Sequence, residues 1–195
     1  MKRQQARTTR NRRIGIAAGG SLIAVILLVV ILFVTTTGTT KKAAPPAAVD
    51  GVTTFPDQTS EHVTGTVDYT PQPPVGGDHA EALLNCGVYS EDVPNENAVH
   101  SLEHGAVWIT YDAAAIAGDE LATLRTAVPD TYAILSPLPG LTTSIVASAW
   151  GVQLKISNPA DPRLAAFISK YRGAASAPEP GSPCTGGIDG PGKVS

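Results

Sequence analysis

A run of 21 residues without one charged side chain, Ile14 to Val34, constrains this 195-residue chain more than any other feature. At about 1.5 Å per helical residue it is long enough to cross the roughly 30 Å hydrocarbon layer of a bilayer. The run therefore sets the plan of the chain: a basic tail over residues 1–13, a transmembrane helix over 14–34, and the remainder on the far side of the membrane. Lys2, Arg3, Arg7, Arg10, Arg12 and Arg13 precede the run, and only Lys41 and Lys42 follow it closely. The positive-inside rule then places the N-terminus in the cytoplasm and the C-terminal domain outside the cell membrane. A cleaved signal peptide is the competing reading. Its apolar core is usually about 7–15 residues and ends at a small-residue cleavage site. This run is longer and Thr35 to Lys42 offers no good site, so an uncleaved signal-anchor is expected.

Charge divides the chain in the same way. All 17 acidic residues lie at or beyond Asp50, where only six basic residues accompany them, giving the outer part a net charge of −11. Such a surface repels nucleic acid, so no nucleic-acid partner is expected. It suits cations or a basic envelope or membrane protein. Glycine-rich phosphate loops, nucleotide fingerprints and serine nucleophile elbows are not found.

Residues 35–54, rich in Thr, Ala, Pro and Lys, have no apolar periodicity and read as a flexible stalk. Residues 55–187 carry enough periodic sequence for one extracytoplasmic domain, and 188–195 read as a tail. Within the domain, His62 to Tyr69 resembles a strand with a bulge at Gly65, and Pro71 to Gly77 forces a loop ending in a turn. Asn95 to Gly105 predicts a short helix with Asn95 as its cap and Gly105 as its stop. Ala106 to Tyr111 predicts a buried strand, and Asp119 to Ala127 a helix with Leu121 and Leu124 inward. Thr131 to Leu135 and Thr143 to Ile156 predict further strands, the second bent near Gly151. Asp161 to Gly173 has an Asp cap, Pro162 at the first helical position and basic residues in its last turn, which predicts a third helix. The class expected is α+β, with a small, mostly antiparallel sheet and about three helices.

The four histidines are His62, His79, His100 and His104. Four-residue spacing puts His100 and His104 on one face of the predicted helix, one turn apart, close enough to share a metal ion. Glu103 lies beside them and Glu96 one turn before. His79, in the loop after Gly76-Gly77, is free to supply a third nitrogen. The residues equally suit a structural hydrogen-bond cluster that holds the turn into the next strand. His100-Ser-Leu-Glu-His104 also fits H-x-x-E-H, in which two His hold zinc and the Glu, here Glu103, is general base. That pattern needs a distant glutamate ligand, and only Glu179, in a Pro-rich stretch, stands downstream in the right region.

Cys86 and Cys184 are the only cysteines, and the expected compartment lets disulfides persist. A bridge between them would close a loop of nearly 100 residues, worth about 4 kcal/mol by chain entropy. The alternative is a thiolate role, with Cys86 a copper or zinc ligand near His79.

Taken in order, His62-Val-Thr-Gly, Pro73-Pro-Val-Gly-Gly-Asp-His79, Asn85-Cys-Gly-Val-Tyr89, Glu96-Asn-Ala-Val-His-Ser-Leu-Glu-His-Gly105 and Ala149-Trp-Gly151 resemble the bacterial domain-of-unknown-function family 3105. The resemblance spans about His62 to Gly187. It implies an anchored extracytoplasmic domain and brings no established activity. Asp78 departs from the family's usual Gly-Pro-His loop without removing the imidazole.

These features lead to a membrane-anchored extracytoplasmic domain that binds a transition metal, zinc or copper, through His79, His100, His104 and Glu103, with His62 and Glu96 nearby. An envelope interaction module with a structural histidine cluster is the alternative, and a zinc-dependent hydrolase a third reading. A non-enzymatic role is expected over an enzymatic one.

Overall fold

The computed structural model describes residues 48–194. The basic tail, the apolar run with its expected span, and residues 35–47 of the expected stalk lie outside the described residues. No helix among the described residues is long and apolar enough to cross a membrane.

Six strands form one mixed sheet: β1 (Val52–Thr54), β2 (Gly87–Val88), β3 (Val107–Tyr111), β4 (Ala133–Pro137), β5 (Ile145–Ala149) and β6 (Val152–Ile156), in the order β1-β6-β5-β3-β4-β2. Three helices complete the fold: α1 (Asn95–Glu103), α2 (Gly118–Thr126) and α3 (Pro162–Tyr171). The α+β class therefore stands, but the sheet is mixed. β3 pairs with β5, β5 with β6 and β6 with β1 in antiparallel fashion, whereas β4 runs parallel to both β3 and β2. The reason is α2. A helix between two neighbouring strands returns the chain to the end it left from, so β3-α2-β4 is a parallel crossover.

All five residues of β3 and all five of β5 are buried, the pattern of strands covered on both faces. Side chains alternate across the sheet. Val107, Ile109 and Tyr111 point to a core completed by Leu124 of α2 and by Leu164, Phe167 and Ile168 of α3. Trp108 points the other way, to Leu84, Tyr89, Ile134 and the Ala98 and Leu102 face of α1. Its indole N–H donates to Ser136 Oγ at 3.0 Å, so the buried nitrogen is satisfied. α1 thus lies alone on one face of the sheet, opposite the two other helices.

Several boundaries differ from the sequence expectation. Thr143 to Ile156 is a hairpin and not one bent strand, because Trp150-Gly151 reverses the chain with Gly151 at φ +69° and brings Ala149 opposite Val152. The His62 to Tyr69 segment is not a strand: Glu96 Oε1 accepts the Val67 N–H at 2.9 Å, a bond a neighbouring strand would otherwise supply. Asn95 is the first residue of α1 and not its cap; Pro94 holds the cap position, and Asn95 Oδ1 is buried without a partner. Asp161, by contrast, accepts the Arg163 N–H and caps α3 as its sequence requires.

The Gly- and Pro-rich C-terminal stretch is tied down. Cys86 and Cys184 form a disulfide with Cα atoms 5.5 Å apart, so neither is a free thiolate. Beyond it, Asn85 N donates to Ile188 O at 2.8 Å and Val194 N to Val88 O at 2.8 Å, which lays the last residues along the β2 edge. Val52–Thr54, at the end of the expected stalk, pairs with β6 on the opposite edge. Replacing both cysteines by serine is expected to cost about 2–5 kcal/mol in urea denaturation, the usual range for a native disulfide in a small domain. A loss under about 1 kcal/mol would show that edge pairing alone holds this segment.

Candidate metal centre

α1 ends in a tight turn. Gly105 N donates to Leu102 O and Ala106 N to Ser101 O, each at 2.9 Å, the paired bonds of a Schellman motif. Gly105 sits at φ +97°, and a Cβ there would lie 3.1 Å from Gly173 Cα, so the position needs glycine twice over. This turn fixes Glu103 as the last helical residue and His104 as the C-cap. Both side chains are therefore held at the negative end of the helix dipole.

The chain brings three further groups to this helix end. Gly76 and Gly77, at φ +151° and +112°, turn the preceding loop so that His79 enters it fully buried. His62 lies alongside, because Val63 N donates to His79 O at 2.8 Å and His79 N to Glu61 O at 3.0 Å. Asp78 accepts the Glu61 N–H and reinforces that pairing. Glu179 arrives from the C-terminal stretch, its N–H donating to Glu103 O at 3.0 Å.

Four imidazoles and two carboxylates meet here. The ring of His62 stacks on that of His100 with centroids 4.9 Å apart, and His79 stands 5.0 Å from each. One ligand atom from each of His62, His79, His100 and Glu103 lies within 4.8 Å of all the others, and the same holds for Glu103, His104 and Glu179. Of the residues expected from sequence, His79, His100 and Glu103 come together as one group. His104 adjoins it, with its Nε2 3.1 Å from His100 Nε2. Glu96 does not join, since its carboxylate is engaged by Val67. His62 joins despite its exposed position, and Glu179, the distant glutamate the H-x-x-E-H pattern calls for, does so from its Pro-rich stretch.

The ring nitrogens have defined roles. His79 Nδ1 donates to Gly77 O at 2.8 Å, His100 Nδ1 to Ala80 O at 2.8 Å and His104 Nδ1 to Pro183 O at 2.7 Å. A carbonyl only accepts, so each Nδ1 carries the proton and each neutral ring presents the lone pair of Nε2. These Nε2 atoms then face other acceptors: His79 Nε2 lies 3.0 Å from Glu103 Oε2, His100 Nε2 3.1 Å from His104 Nε2, and His104 Nε2 3.4 Å from Glu179 Oε2. Acceptors at such distances require a proton or a cation between them. Among the described residues no Lys or Arg pairs with Glu103 or Glu179. Burial pushes the His100 imidazolium below its ordinary range, and the neighbouring His104, His79 and His62 push it further, against the Ala80 carbonyl that favours it. A proton is thus a poor occupant at His100.

The fold and the cluster define a class: a small α+β domain with a buried histidine and carboxylate centre at the end of one helix. Residues 62–186, which enclose every member of that centre, match the family described as proteins of unknown function, DUF3105, and the chain belongs to that family. No curated protein and no solved structure matches it.

The lowered His100 value has a definite sign. A group whose folded value lies below its unfolded value of about 6.5 contributes stability that is complete above that pH. The contribution is lost as pH falls through the folded value, because the unfolded chain binds the extra proton first. Denaturation midpoints in the presence of a chelator are expected to drop between about pH 7.5 and pH 5, with a shallower drop in His100→Gln. An unchanged drop in that variant would assign the effect to another group.

Proposed function

We propose that this chain is a membrane-tethered, extracytoplasmic domain that binds a transition-metal ion at the end of α1. His62, His79, His100 and Glu103 would hold the ion, with His104 beside them. The observation that carries this reading is the opposition of lone pairs: three oriented imidazoles expose Nε2 toward other acceptors in a buried site lacking Lys or Arg partners among the described residues. Nδ1–H bonded to a backbone carbonyl is the usual outer support of a metal-bound histidine, fixing tautomer and ring orientation. The spacing agrees. Two ligands about 2.0–2.2 Å from one ion, at tetrahedral to octahedral angles, lie roughly 2.8–3.6 Å apart, and the 3.0 Å between His79 Nε2 and Glu103 Oε2 falls inside that window.

Three imidazoles with a carboxylate suit zinc or copper. The tether rests on the apolar run Ile14 to Val34 and the six basic residues before it.

Full-length protein in detergent, stripped with chelator and reloaded, is expected to retain stoichiometric zinc or copper after desalting. A ligand at 100 times its dissociation constant should add about 2.7 kcal/mol of stability. His79→Ala and His100→Ala should lose the retained metal and that increment. Wild type that retains no metal, with both variants merely less stable, would make the cluster structural and return attention to an envelope protein partner.

A further inference from the structure

We infer that the centre holds two metal ions bridged by Glu103, the second in an open site made by Glu103, His104 and Glu179. This rests on the single-ion reading above and extends it. The ligand atoms divide into two groups, His62, His79, His100 and Glu103 on one side and Glu103, His104 and Glu179 on the other, with Glu103 common to both. A carboxylate has two oxygens with about four lone-pair directions, so one glutamate can serve two ions. Glu103 Oε2 faces His79 at 3.0 Å, and His104 Nε2, beyond it, approaches Glu179 Oε2 at 3.4 Å. His100 Nε2 and His104 Nε2, 3.1 Å apart, are then neighbouring ligands of different ions. Two-metal sites usually hold their ions about 3.5–4 Å apart, a spacing that one carboxylate can bridge.

The second group is built into the fold. His104 is 7 % exposed, and its Nδ1 is oriented by Pro183 O at 2.7 Å. Pro183 precedes Cys184, so the disulfide to Cys86 holds that carbonyl in place. Glu179 is positioned by its own N–H on Glu103 O at 3.0 Å. Each ligand therefore has a support independent of any ion.

The two sites differ in kind. Four protein ligands close the first. Three serve the second, and Glu179, with its side chain 56 % exposed, puts that site against solvent. Three protein ligands with water in the remaining position is the arrangement in which an ion exchanges ligands and acidifies its bound water. The second site would fill after the first, because the ion already in place repels the next. Its occupant is a divalent transition ion carrying water.

Full-length protein in detergent, stripped of metal and titrated with zinc, is expected to bind two ions per chain in two steps. Glu179→Gln, a change at an exposed side chain, should remove only the weaker step, and His62→Gln should weaken only the stronger. Loaded with copper(II), the wild type should show a half-field transition in electron paramagnetic resonance, the signature of two coupled ions a few ångströms apart; Glu179→Gln should lack it. One ion per chain without the half-field transition would overturn the two-ion centre and leave the single-ion reading standing. No bound ion would overturn both.

Discussion

His79 is fully buried and faces Glu103 across 3.0 Å, and no Lys or Arg among the described residues pairs with that carboxylate. Withdrawing such groups from water is costly unless each is paired and hydrogen-bonded. Glu103 adds to the cost because it stands at the negative end of α1. A fold that keeps this arrangement must offset it locally, and the surrounding structure is organised to do so. The Gly76-Gly77 turn supplies the carbonyl that orients His79, the loop at Ala80 orients His100, and Pro183 orients His104. What these supports do not provide is positive charge. An ion bound there would supply the missing term.

The precision of the centre depends on rigid neighbours. α1 packs Ala98 and Leu102 against Trp108 and Ile134, so one face of the helix is fixed by the sheet and the histidine-bearing face is fixed with it. The Schellman turn at Gly105 abuts the end of α3 through Gly173 N donating to Gly105 O at 2.8 Å. The C-terminal stretch, short of apolar residues of its own, is held by one covalent bond and a row of backbone bonds along β2. A chain with so little intrinsic order there depends on the crosslink to keep Pro183 and Glu179 in register with His104.

Local signals in the sequence were sufficient where the deciding interaction is local. The Asp161 cap and Pro162 mark the start of α3, Gly105 marks the end of α1, and the four-residue interval of His100 and His104 predicts their shared face. His79 was reachable from the Gly-Gly turn before it. Signals failed where a distant group decides the outcome. The alternation in His62 to Tyr69 reads as a strand, but the Glu96 carboxylate takes the Val67 N–H, and the pairing that remains serves to seat His62. The parallel pairing of β3 with β4 is set by the crossover through α2, which strand patterns alone do not report. Glu179 was reachable only as the distant glutamate of the H-x-x-E-H pattern, since its Pro-rich surroundings do not report its place; the disulfide, between cysteines 98 residues apart in sequence, ties that stretch into the site.

The choice of ion at the proposed centre would follow from donor chemistry and not from charge alone. A net of −11 from Asp50 onward would draw cations of every kind toward the domain. Hard ions such as calcium and magnesium require six or more oxygen donors or retained waters, and they gain little from imidazole. The centre offers four imidazoles and only two carboxylates, gathered where most of the rings are shielded from solvent. Nitrogen donors of this kind favour zinc and copper over the hard ions that outnumber them. The acidic surface would therefore concentrate cations without discrimination, and the buried nitrogens would select among those that arrive.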